Sequence, residues 1–166
     1  MRFRWWYNIP MLWLLRSPIH RLVSHSTLAL SIRGRTSGRT YTFPVNYLQH
    51  GFMLLVLSPR DRTWWRNLQT GALVTLWLRG QPIHTWAQAS TDPTEVMKGL
   101  LVILRRSPMR QRALGIRLNQ HGDPRQKVQL IRAAGRYTLI RIALPSPADA
   151  RPVEASVGES SGGDTP

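Results

Sequence analysis

The chain has 166 residues, enough for one domain with a hydrophobic core and too few for two domains of ordinary size. It has no cysteine, which excludes disulfides, thiol catalysis and cysteine metal sites. Its five histidines lack the helical spacing of a metal site, so no metal is expected. Residues 1–144 hold 22 basic and four acidic side chains, a net charge of +18. Such a surface attracts anions, whether nucleic acid, anionic lipid or an acidic small molecule.

An apolar run of eleven residues, Trp5–Leu15, lies near the N-terminus between arginines. It is shorter than the roughly 20 residues that span a bilayer, and no small-residue cleavage site follows it. Neither a transmembrane helix nor a secretory signal is therefore expected. We predict an amphipathic helix over residues 1–24 that either packs on the core or lies in a membrane interface. The expected location is cytoplasmic, with peripheral contact at the inner face of the membrane as the alternative.

Alternating apolar and polar residues predict a series of β-strands in the middle of the chain and one near its end. The strands are expected at residues 28–32, 41–47, 52–57, 73–78, 83–89 and 137–143. Pro44 interrupts the second strand, which indicates an edge or a bulge at that point. From residue 145 the composition turns to Pro, Ser, Gly and acidic residues, which predicts a disordered tail over residues 145–166.

Three helix starts are predicted between the last two strands. Asp92, Ser107 and Asp123 each precede a proline, the arrangement of an N-cap followed by the first helical residue. Glu95 would complete a capping box with Asp92. Strands in series, then helices, then a last strand indicate an α+β fold, a small antiparallel β-barrel with flanking helices over residues 25–144.

The most informative segment is the loop Gly34–Arg39, which lies between two predicted strands. Its two glycines let the backbone curl, so that N–H groups and arginine side chains can bind one phosphate or carboxylate. A second cluster, Ser58–Leu68, combines three arginines with two tryptophans. Together the two segments indicate an anionic ligand with an aromatic body.

Few side chains are available for acid–base or nucleophilic chemistry. Of the four acidic residues before residue 145, Asp92, Glu95 and Asp123 have predicted roles at helix starts, and Asp61 lies between arginines. The chain therefore has few side chains that could carry out paired-carboxylate hydrolysis, Ser-His-Asp catalysis or two-metal phosphoryl transfer. If the protein is an enzyme, a cofactor supplies the reactive group, and no catalytic side chain is assigned.

The basic loop belongs to a longer set of motifs. It is followed by Pro44-Val45, then by Ser58-x-Arg60 and by Trp65-x-Asn67 ahead of another strand. Over roughly residues 10–90 this combination resembles the deazaflavin-dependent nitroreductase family. The resemblance implies a split β-barrel related to FMN-binding proteins. It also implies coenzyme F420, which passes hydride to quinones, nitro compounds or other unsaturated acceptors. The partner would be a hydrophobic small-molecule acceptor, and related split barrels often form homodimers.

The resemblance also implies which residues hold the cofactor. The family's loop that binds the phosphate and glutamate part of the cofactor corresponds here to Arg35, Thr36, Gly38 and Arg39. The strand beside the deazaflavin ring matches Pro44, Val45 and Asn46. A second loop at the phosphate matches Ser58 and Arg60, and the short helix that closes the site matches Trp65 and Asn67.

Alternatives remain open for several residues and for the function. Residues 109–120 lack the tyrosines that characterised family members place over the substrate, so nitro-drug activation is not implied. The loop arginines could be solvated turn residues, Trp65 a core residue and Asn67 a local cap, while Tyr41 and Tyr47 are expected in the core. The barrel could instead bind FMN or carry a hydrophobic ligand. The basic surface could bind nucleic acid or anionic lipid, although no specific nucleic-acid motif is present.

Overall fold

A computed structural model of the chain describes residues 26–78 and 81–145. The predicted helix over residues 1–24 and the predicted tail beyond residue 145 lie outside the described residues. The strands are β1 (Thr27–Arg33), β2 (Thr40–His50), β3 (Met53–Pro59), β4 (Ala72–Leu78), β5 (Gln81–Ser90) and β6 (Tyr137–Ala143). The helices are α1 (Pro93–Arg106), α2 (Pro108–Leu114) and α3 (Lys127–Arg136), with a 3-10 helix at Trp64–Leu68. None of these helices is both long enough and apolar enough to cross a membrane.

The six strands form a closed antiparallel barrel in the order β1-β2-β3-β6-β5-β4. Pairing of β1 with β4 closes it, and β6, the last strand in the chain, lies between β3 and β5. The predicted α+β fold, a small antiparallel barrel with flanking helices, is confirmed. Each predicted strand is present. Alternation of apolar and polar residues marks β1, β2 and β5, whereas β3 is a continuous apolar run.

Two layers of apolar residues hold the fold together. Leucine, isoleucine and valine side chains from all six strands fill the barrel interior. A second layer lies outside the barrel, where α1 and α3 pack on β3 and β6 through Val96, Ile103, Ala134 and Leu139. These two strands are therefore covered on both faces, which explains why their burial is nearly continuous.

Strand β2 extends beyond its partner β3 and leaves a split in the wall. Its whole first half pairs with β1, from Thr40 to Asn46, but its pairing with β3 covers only Tyr47 to His50. Among the described strands, residues 40–46 therefore have a partner on one side alone. Pro44 lies in this half, where its missing N–H costs no second ladder bond, so the prediction of an edge at Pro44 is confirmed.

The first two predicted helix starts are confirmed by their caps. The side chain of Asp92 accepts the N–H of Glu95 at 2.8 Å, and that of Ser107 accepts the N–H of Arg110 at 3.4 Å. A proline follows each cap as the first helical residue. The predicted capping box is wrong, because the Glu95 carboxylate pairs with Arg141 at 2.9 Å while the N–H of Asp92 donates to Ser90 Oγ. Hydrogen bonds from Ser90 and Arg141 lower the pKa of Glu95.

The predicted helix start at Asp123 is wrong, since α3 begins at Lys127. The Oδ1 atom of Asn119 accepts the N–H groups of both His121 and Asp123 at 2.9 Å, which folds this segment into a turn. The carbonyl of Asp123 in turn accepts the N–H of Asn119 at 2.8 Å. Asp123 therefore closes a turn, and its carboxylate forms an ion pair with Arg105.

Candidate functional site

A cleft of about 890 Å³ lies between the β1–β2 loop and the 3-10 helix, a volume in the range of small-molecule sites. Its floor and one wall come from the ends of the two strands, at Ile32, Thr40, Tyr41 and Phe43. The loop contributes Gly34, Thr36, Ser37 and Arg39, and the segment of the 3-10 helix contributes Thr63, Trp64 and Asn67. The cleft thus has a polar, cationic side and an aromatic side.

The loop is held in a tight curl by its own backbone. Gly34 N–H donates to the carbonyl of Arg39, and Gly38 N–H donates to the carbonyl of Gly34, both at 2.8 Å. Gly38 has φ of 65°, in the left-handed region that favours glycine. A Cβ atom at Gly34 would lie 2.6 Å from Ser37 Oγ and 2.9 Å from Tyr41 Cε2. The backbone conformation therefore favours glycine at position 38, and a side chain at position 34 would displace Ser37 and Tyr41.

Two amides of the loop remain available to a ligand. The other four N–H groups of the loop already donate hydrogen bonds; they belong to Gly34, Arg35, Gly38 and Arg39. Within residues 26–78 and 81–145, the N–H groups of Thr36 and Ser37 have no hydrogen-bond partner. Both residues line the cleft. Two successive amides of this kind can bind one oxygen of an anion.

The two loop arginines have no carboxylate partner among the described residues, whose ion pairs are Arg105–Asp123 and Arg141–Glu95. Both arginines are exposed. Arg39 lines the cleft, whereas Arg35 belongs to the loop without being a lining residue. Arg35 contributes through its backbone, because its N–H donates to Asn67 Oδ1 at 3.0 Å.

Asn67 connects the 3-10 helix to the loop. Its Oδ1 accepts the Arg35 N–H, and its Nδ2 donates to the carbonyl of Trp64 at 2.9 Å. Asn67 is thus both the local cap that the sequence allowed and a cleft residue that positions the loop. One carboxamide serves both purposes because it carries a donor and an acceptor.

The aromatic wall is formed by Trp64, whereas the resemblance pointed to Trp65. The Trp64 ring meets Phe43 edge to face at a centroid distance of 4.9 Å, and both residues line the cleft. Trp65 is 6% exposed and belongs to the barrel core, with Arg66 5.8 Å from the centroid of its ring. Successive residues of a 3-10 helix point about 120° apart, so only one of two adjacent tryptophans can face the cleft.

Tyr41 is a cleft residue that sequence reasoning missed. The prediction that it lies in the core is wrong, since its side chain is 43% exposed and its hydroxyl lies 3.1 Å from Ser37 Oγ. The same prediction for Tyr47 is confirmed. The two residues share one face of β2, but that face is buried in the core at Val45 and Tyr47 and lines the cleft at Phe43 and Tyr41. The signal in the sequence that could have placed Tyr41 in the cleft was its position two residues after the loop.

The structure does not bring Pro44, Val45 or Asn46 to the cleft. The Val45 side chain is 8% exposed and packs in the barrel core. Asn46 accepts the hydroxyl of Thr27 through Oδ1 at 2.8 Å. By strand alternation, Pro44 points to the opposite face from Phe43 and Val45. The part of β2 that lines the cleft is its start, residues 40–43.

Ser58 and Arg60 are also held elsewhere. The Ser58 side chain is buried and its hydroxyl donates to the carbonyl of Pro59 at 3.3 Å. The Arg60 guanidinium group donates to three backbone carbonyls, those of Thr91, Ala134 and Tyr137, at 2.7, 3.4 and 3.0 Å. It therefore joins the ends of β5 and α3 and the start of β6, and it is not available to a phosphate in the cleft.

The described residues define a small antiparallel β-barrel with a ligand-sized cleft at its split edge, and they include no group of three metal-ligating side chains. No family model matches the sequence, and no curated protein matches it. A solved structure described as a domain-swapped dimer is similar to this chain, with a TM-score of 0.47 and 11% sequence identity. The similarity covers 80% of this chain and 98% of that one.

Proposed function

We propose that this chain binds coenzyme F420 in the cleft and acts as a reductase toward a quinone-like, nitro or other unsaturated acceptor. The observation that carries the proposal is the pairing within one cleft of a cationic glycine loop with an aromatic wall. A ligand that fits both must combine an anionic arm with a flat apolar ring system. A deazaflavin with a phosphate and a glutamate tail has this construction.

The anionic arm would be held by the loop. The amides of Thr36 and Ser37 can bind phosphate oxygens, and the guanidinium group of Arg39 can form a charge-assisted pair with a phosphate or carboxylate. Arg35, exposed on the same loop, is free to contact the more distant carboxylates of the tail. These residues replace Ser58 and Arg60 in the proposed phosphate site, because the latter two are engaged with the backbone.

The ring would lie against the aromatic wall. Phe43 and Trp64 offer an apolar surface whose edge-to-face contact keeps both rings in place. Ile32, beneath them in β1, is buried and closes the floor of the cleft. When bound, the reduced cofactor would supply hydride from C5, and the chain would supply binding, orientation and a proton.

Tyr41 is the proposed source of that proton. Tyr41 lines the cleft and its hydroxyl lies 3.1 Å from the hydroxyl of Ser37, an exposed residue that can return a proton from solvent. An acceptor oxygen that gains negative charge would be protonated by this hydroxyl, and Ser37 would restore the proton to Tyr41.

The variant Tyr41→Phe tests this role. It keeps the ring and removes the hydroxyl, so kcat with a short-chain quinone is expected to fall about 100-fold, the usual contribution of a general acid. The dissociation constant for F420 is expected to stay nearly unchanged. Tyr137→Phe, at a tyrosine of β6 that does not line the cleft, is the matched control. An unchanged kcat in Tyr41→Phe would remove Tyr41 from the mechanism while leaving cofactor binding intact.

The proposed function is tested by titration of the full chain with F420, followed by cofactor fluorescence, and by a parallel titration with FMN. Binding of F420 in the micromolar range, with reduction of a quinone by reduced F420, is the expected result. Tight FMN binding without F420 binding would replace the proposal by a flavin protein. Binding of neither would contradict both.

A further inference from the structure

The helical layer of the protein carries a strong positive charge of its own. Residues 105–136, which include α2, α3 and the end of α1, hold nine basic side chains and one acidic residue, Asp123. That single carboxylate is paired with Arg105 at 3.4 Å. The remaining basic side chains of this segment have no carboxylate partner among the described residues.

The same layer exposes large apolar side chains. Val128 and Ile131, three positions apart on α3, are 58% and 57% exposed, and Met109 at the start of α2 is 75% exposed. The opposite face of α3 buries Leu130 and Ala134 against α1. The outward face of α3 is therefore apolar along its centre.

The apolar and basic groups lie side by side. Lys127 and Arg132 are direct chain neighbours of Val128 and Ile131 and are exposed with them. Helices α2 and α3 both pack on α1, and Leu114 of α2 joins the apolar cluster that contains Leu130 of α3. Helix α3 thus presents exposed aliphatic side chains beside exposed lysine and arginine, and α2 packs on the same helix α1.

We infer that this outer face of α2 and α3 is a docking surface for an anionic lipid membrane. Basic groups are attracted to anionic headgroups, and aliphatic side chains between them can enter the boundary between headgroups and acyl chains. Nucleic acid would match the positive charge but not the exposed apolar side chains. Residues 105–136 also contain no Phe, Trp or Tyr on which a base could stack. The inference does not depend on the cofactor, although a membrane-bound reductase would meet lipophilic acceptors.

The test is flotation of the full chain with vesicles of phosphatidylcholine alone and of an equal mixture with phosphatidylglycerol. We expect binding to the mixed vesicles that weakens as salt is raised, and little binding to phosphatidylcholine. Lys127→Gln/Arg132→Gln should weaken binding about 30-fold, at about fivefold per basic residue near the surface. Val128→Ser/Ile131→Ser should weaken it about tenfold at any salt concentration, because less apolar area enters the membrane.

The matched control is Leu73→Ser/Phe52→Ser, which removes two apolar side chains of similar exposure from the barrel. It should bind vesicles as the parent chain does, and circular dichroism verifies that each variant is folded. Equal vesicle binding by the parent and both α3 double variants would overturn the inference and assign the interaction to another part of the chain. Binding to a DNA duplex without vesicle binding would overturn it in favour of nucleic acid.

Discussion

The double variant Arg35→Ala/Arg39→Ala is expected to weaken F420 binding by about 100-fold. A hydrogen bond from a charged group contributes about 1.5 to 3 kcal/mol to the free energy of binding. Because both arginines are exposed to solvent, each is expected to contribute near the lower end of that range. Because Arg39 lines the cleft and Arg35 does not, Arg39→Ala alone should account for the larger share. Fluorescence titration of Arg35→Ala, Arg39→Ala and the double variant against the parent chain measures both effects.

The control for this experiment is Arg112→Ala/Arg117→Ala, which removes the same charge from exposed positions in the helical layer. General attraction of the basic protein for an anionic cofactor would be reduced equally in both double variants. If the two lose affinity to the same degree, the loop is not the phosphate site, and only long-range electrostatics remain. A loss confined to the loop variant supports the proposed site.

The variant Arg60→Ala is expected to lower the free energy of unfolding by about 3 kcal/mol while leaving the F420 affinity of the folded protein unchanged. It removes three hydrogen bonds from a charged donor and leaves the carbonyls of Thr91, Ala134 and Tyr137 without that partner. Urea denaturation measures the first quantity and cofactor titration the second. A lysine at this position keeps the charge but lacks the planar fork, so Arg60→Lys should recover only part of the stability.

Arg62→Ala is the matched control, since Arg62 lies two residues further along and is exposed. Its effect on the free energy of unfolding is expected to stay within about 0.5 kcal/mol. The contrary result for Arg60→Ala would be normal stability together with a large loss of cofactor affinity. That outcome would indicate that Arg60 binds the cofactor phosphate, as the family resemblance implies.

The fold was predictable because its signals are local. A strand is marked by alternation over a few residues, and a helix start by an N-cap beside a proline, as at Asp92 and Ser107. The failed start at Asp123 carries the same local signal. It failed because Pro124 forms an antiparallel bridge with Leu118 and the N–H of Arg125 donates to the carbonyl of Arg117, so the residues after Asp123 are not helical.

The candidate site was predictable in part. Thr36, Arg39 and Asn67 line the cleft as predicted, whereas Gly38 shapes the loop without lining the cleft. The strand and tryptophan assignments shift by one to a few residues, from Val45 to Phe43 and from Trp65 to Trp64. On a 3-10 helix, moving by one residue is enough to exchange a core position for a cleft position. On β2, which extends beyond its partner β3, moving by two residues has the same effect.

The sequence by itself determined the strand and helix pattern, the glycine-dependent curl of the loop and the excess of positive charge, since each depends on neighbouring residues or on composition. Only the tertiary structure decided which arginine lines the cleft and which one holds the fold together. Arg39 and Arg60 both lie in arginine-rich turns beside a strand. Arg60 meets the carbonyl of Tyr137, 77 residues away, while Arg39 has no carboxylate partner among the described residues. Hydrogen-bond partners at such separations are created by chain topology, which no local pattern encodes.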